Sequence, residues 1–96
     1  MFHCNYPSCT YKTSSRRLIH NHHIIPVELG GDNSEYNRVY LCPNHHNKVF
    51  VPESKSGQHS VQHADSIIIK QKILSSAGYM LQYIDKDNNE NFIDCI

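Results

Sequence analysis

Two short cysteine-bearing runs, "CNYPSC" at residues 4–9 and "CPNH" at residues 42–45, constrain this chain more than any apolar pattern in it. With 96 residues, it buries only roughly 60–65% of the surface its unfolded form exposes, so the apolar core is thin and another stabiliser is needed. Four cysteines are too few and too unevenly spaced for a dense disulfide scaffold, and in a reducing compartment thiols serve as metal ligands rather than bridges. Tetrahedral zinc takes four nitrogen or sulfur ligands, and Cys4, Cys9, Cys42 and His45 supply them as a closed, structural set. The two-residue gap between Cys42 and His45 lets both face one ion from a turn or helix start. The plainer alternative is buried free thiols with a surface histidine. Cys95, alone near the far end, reads as a small buried hydrophobe.

The punctuation of the chain predicts an α+β arrangement. "LIHNHHII" reads as a strand stopped by Pro26, "ELGGDNSEYN" as a long loop, and "RVYL" as a second strand of the same hairpin. "CPNHHNKVF" follows as a helix, with Pro43 in its first turn and Lys48 toward its far end. Residues 1–50 form one module on this reading, and 51–65, with a proline, a glycine and three serines and little apolar content, read as a linker. Residues 66–96 form a three-stranded antiparallel meander, in which Ile67, Ile69 and Ile73 alternate with Ile68, Lys70 and Lys72.

Eight histidines pose the chemical question, because His20, His22 and His23 crowd together just before a turn. On an extended strand His20 and His22 share one face and His23 takes the other. At a strand end, one imidazole can hold a metal while its neighbour faces a reacting water. His46 lies about 100° around a helix from His45, so the pair forks between two sites. His3, His59 and His63 read as ordinary exposed side chains.

The combination of "HHIIP", "GG", an Asn before the second strand and "LCPNHH" resembles the HNH endonucleases of the ββα-metal class, particularly the zinc-stabilised kind found in phages and bacteria. The resemblance spans about residues 4 to 50. It implies a ββα-metal finger with a structural zinc knuckle, and metal-dependent hydrolysis of phosphodiester bonds in DNA. His22 would be the first catalytic-metal ligand, His46 the ligand from the helix and His23 the general base. Asn37 would orient that base through the hairpin loop. Phe50 stands one helical turn beyond His46, where many members carry another histidine. The metal would then be completed by water and substrate, or by Asn47, His20 or His59. The cofactors implied are Zn²⁺ in the structural site and Mg²⁺ or another divalent ion in the catalytic one.

The formal net charge is zero, yet residues 1–50 carry Lys12, Arg16, Arg17, Arg38 and Lys48 against Glu28, Asp32 and Glu35. This surplus accompanies the histidines, and Arg16, Arg17 and Arg38 are candidate phosphate contacts. A cytoplasmic protein of a bacterial cell, possibly phage-encoded, is expected, with no membrane partner and a possible homodimer for cutting both strands. The rival expectation is an inactive zinc-stabilised HNH-like module that binds DNA or a protein.

Overall fold

Short β-branched and aromatic runs broken by Gly, Pro and Asn favour strands over long helices. The computed structural model describes residues 1–55 and 57–95, and among these it contains three small antiparallel sheets. The first pairs β1 (Phe2–His3) with β2 (Lys12–Thr13), enclosing the Cys4–Cys9 knuckle. The second pairs β3 (His20–His23) with β4 (Arg38–Leu41), setting His20 opposite Leu41 and His22 opposite Val39. The third is a meander in the order β5 (Ile68–Ser75), β6 (Gly78–Ile84), β7 (Glu90–Asp94). Cys4, Ile24, Val39, Leu41, Cys42, Val49, Ile67, Ile69 and Leu81 form one core cluster, so the knuckle, hairpin and meander bury a common interior.

The expected α+β ββα-metal finger is overturned. The α-helix found among the described residues, α1 (Pro43–His46), is a single turn of four residues, and the architecture is mostly small antiparallel sheets. Pro43 favours a helix start, but Lys48 N–H already bonds back to His45 O, three residues away. Val49 then forms a parallel bridge with Ile67; Phe50 N–H donates to Ile67 O at 2.8 Å and Ile67 N–H to Lys48 O at 2.9 Å. The β-branched Val49 and Val51 are thereby buried in extended backbone, and a lone turn cannot offset helix nucleation without such tertiary support.

The meander also departs from simple alternation. The β5–β6 register shifts between Ile69 and Gln71, and this bulge turns Lys72 inward on the side of Ile69 instead of outward with Lys70. The Lys72 ammonium is buried, 2.8 Å from Glu35 Oε1, 3.0 Å from Arg38 O and 4.6 Å from the Tyr79 ring centroid. It fastens the meander to the hairpin.

The hairpin loop is shaped by two glycines. Gly30 closes the 3₁₀ turn Val27–Leu29 with φ of 94°, and its position opens onto free space. At Gly31 a Cβ would lie 1.7 Å from the Ile25 carbonyl oxygen and 2.8 Å from Asn37 Nδ2. Gly31→Ala is therefore expected to destabilise the chain by about 3 kcal/mol, because backbone must move. Gly30→Ala, which only strains φ, should cost about 1–2 kcal/mol. Urea unfolding midpoints of the two variants measure the difference.

Candidate metal centres

The knuckle is folded before any ligand is considered. Cys4 N–H donates to Tyr11 O at 3.0 Å, Cys9 N–H donates to Tyr6 O at 3.0 Å, and Ser8 takes the left-handed conformation with φ of 69°. Asn5 N–H bonds Tyr40 O at 2.9 Å, which seats this loop against β4. Cys42 begins the single turn of α1, and the His45 ring stacks on Tyr6 with centroids 4.2 Å apart. Cys4, Cys9, Cys42 and His45 thus bring their potential ligand atoms within 4.8 Å of one another, a group able to hold a metal ion. Cys9 Sγ lies 4.0 Å from Cys42 Sγ, which in turn lies 3.3 Å from His45 Nδ1. Two sulfurs on a tetrahedral zinc are about 3.8 Å apart, so the residues fit such an ion, whereas 4.0 Å is no disulfide. Burial pushes the Cys4 thiol up to about 12, although backbone hydrogen bonds from Cys42 and Tyr6 pull it down; a proton must leave when a metal arrives.

The second group joins three segments. His22 comes from β3, His46 from α1, and His59 from the 3₁₀ turn Gln58–Ser60. His46 Nε2 lies 3.2 Å from His22 Nδ1 and 3.2 Å from His59 Nε2. His59 Nδ1–H donates to Val49 O at 2.8 Å, and because a carbonyl can only accept, the lone pair of Nε2 is turned toward the cluster. His22 is buried, and its Nε2 has no hydrogen-bond partner among the described residues. Such an orphan costs about 1–3 kcal/mol. The orphan is on the far side of the ring; the nitrogens that converge are His22 Nδ1, His46 Nε2 and His59 Nε2, three donors that fit a metal ion.

Burial and mutual repulsion keep His22 and His46 neutral. Burial, with repulsion from His59, His46 and His23, lowers His22 to about 3; burial, with repulsion from His59 and His20, lowers His46 to about 4. Neutral imidazole is the ligating form.

The other expected site residues are divided by the hairpin. His23 sits opposite Arg38, on the strand face away from His22 and Val39. Its Nε2 is 2.7 Å from Asn33 Oδ1, so the ring proton is on Nε2 and the lone pair is on Nδ1. The side-chain hydrogen bonds of Asn37 go to the loop instead. Buried Asn37 accepts from Ile25 N–H at 2.8 Å and donates to Ile25 O and Asp32 O, pinning the loop that carries Asn33. Arg38 pairs with Glu35 at 3.2 Å, Arg16 donates to Ile19 O at 3.2 Å, and Arg17 is exposed. His59, read from the sequence as an exposed side chain of a linker, is half-buried in the cluster. Asn33 carried no signal beyond its place in "GGDN".

No protein-family model, curated protein or solved structure matches the chain. No helix among the described residues is long and apolar enough to cross a membrane.

The lowered His22 and His46 values predict an acid-labile fold. Both lie below the ordinary 6.5, so as pH falls the unfolded chain takes up these protons first. Their contribution is therefore full above about pH 6.5 and is lost progressively toward pH 4 and then 3. Urea midpoints measured from pH 7.5 down to 4.5 should fall, with a shallower slope for His22→Phe.

Proposed function

We propose that this chain is a metal-dependent endonuclease hydrolysing phosphodiester bonds of DNA, with zinc in the Cys4–Cys9–Cys42–His45 group as a structural tie. The observation that carries the reading is the meeting of His22, His46 and His59 around one point beside that closed group. Three protein ligands leave positions open for water or substrate, as in catalytic sites, whereas four sulfur and nitrogen donors close a structural one. The "HHIIP…GG…LCPNHH" pattern, with its resemblance to HNH endonucleases, supplies the reaction class.

When bound, a divalent ion there would neutralise charge on a phosphoryl oxygen and on the leaving oxygen. Three imidazoles suit Mn²⁺, Co²⁺, Ni²⁺ or Zn²⁺ better than Mg²⁺, which prefers oxygen ligands. His22, His46 and His59 hold the ion, with His59 kept in its ligating tautomer by the Val49 carbonyl. His23 accepts the proton of the attacking water at Nδ1, while Asn33 keeps Nε2 protonated. Asn37 maintains this pairing by stapling the loop to Ile25.

A second reading follows from one observation: His23 leaves β3 on the face opposite His22. A chain whose candidate base points away from its metal would bind DNA, or a protein, without turnover. Plasmid relaxation assayed with Mg²⁺, Mn²⁺, Co²⁺ and Ni²⁺ separates the two. The nuclease reading expects nicking with at least one of these ions and loss of about 100-fold or more in both His46→Ala and His23→Ala. Cleavage that survives His23→Ala removes it as base, and metal binding without cleavage under any ion establishes the second reading. Native mass spectrometry should count two metal ions per chain, with the second absent in His46→Ala.

A further inference from the structure

His20 belongs to neither the closed thiolate group nor the three-histidine group, and it is exposed, yet its ring is held against the second of these. It lies two positions before His22 on β3, and in an extended strand that spacing returns it to the His22 face. From there its Nδ1 reaches to 2.8 Å from His46 Nδ1, with the two rings edge to face at 74° and centroids 4.9 Å apart. The opposite nitrogen of the same His46 ring, Nε2, is the one 3.2 Å from both His22 and His59. One imidazole therefore presents one edge to the cluster and the other to His20.

We propose that His20 is a positioning residue for the metal centre, acting through His46. The inference rests on reading His22, His46 and His59 as ligands of one ion. A neutral imidazole that coordinates through Nε2 must carry its proton on Nδ1, and that N–H needs an acceptor. His20 Nδ1 is the acceptor at hydrogen-bond distance. Its own proton then resides on Nε2. The bond selects the His46 tautomer with a bare Nε2 and fixes the ring's rotation about its side-chain bonds, as the Val49 carbonyl does for His59. Two of the three ligands on this reading thus have a partner on the distal nitrogen, one from backbone and one from a side chain.

Shape supplies a clean test, because Asn places its Oδ1 near the position of a histidine Nδ1, while Leu has nearly the same outline without an acceptor. Wild-type protein, His20→Asn and His20→Leu, each prepared with a single zinc ion per chain, are titrated with Co²⁺ by calorimetry, and the visible d–d absorption of the bound ion is recorded. The expected result is a weakening of about 10–100-fold for His20→Leu, with a shifted absorption band. His20→Asn should retain wild-type affinity within about threefold, since it keeps the acceptor. Thermal unfolding without added Co²⁺ should be the same in all three, which separates positioning from a role in folding. Equal affinity and spectra in wild type and His20→Leu overturn the role of His20 while leaving the metal centre standing. A wild-type protein with one zinc per chain that takes up no Co²⁺ overturns the metal centre, and His20's role with it.

Discussion

Everything chemical in this chain depends on one turn of backbone, from Cys42 to His46. Pro43 sets the turn, the His46 N–H closes it on Cys42 O at 2.9 Å, and the adjacent imidazoles of His45 and His46 then diverge by about a quarter turn. His45 faces the thiols and His46 faces the other histidines. A longer helix is unnecessary, because the turn is held at one end by the knuckle and at the other by the Val49–Ile67 bridge. The two clusters are consequently coupled: whatever orders the Cys42–His45 pair also fixes the direction of His46. Such an arrangement suits a chain whose apolar core is small, since ligand groups can supply the rigidity that packing does not.

Strands were the most legible part of the sequence, and helix length the least. "RVYL" has a local alternation of burial that survives into β4, and the apolar stretches of the last third become β5, β6 and β7. The four-residue α1 was unreadable in its extent, because what ends it is Ile67, a residue far along the chain that pairs with Val49. Lys72 was misread for a related reason. A bulge one residue wide reverses the face of everything after it, and nothing in "IIIKQKIL" marks its position.

The site divides along the same line between local and distant. His22 and His46 were nominated from a motif whose members lie within one supersecondary unit, and they stand 3.2 Å apart. His59 comes from a Ser- and Gly-bearing stretch with no periodicity, so its approach to the cluster depends on tertiary geometry: Val51 N–H bonds His59 O and His59 Nδ1–H bonds Val49 O. Asn37 was picked out to act on His23 through the hairpin loop, and the side chain in direct contact with His23 is Asn33. The contacts of Asn37 hold the loop closed around Gly31, where no side chain fits.

The parallel bridge also makes the segment between its two ends separable from the core. The chain leaves the core at Val49 and re-enters beside it at Ile67, so the intervening excursion begins and ends at practically the same place. Lengthening or trimming such an excursion adds little closure entropy and leaves strand pairing elsewhere intact. His59, lodged in that excursion, is therefore a donor whose replacement leaves the Val49–Ile67 pairing in place.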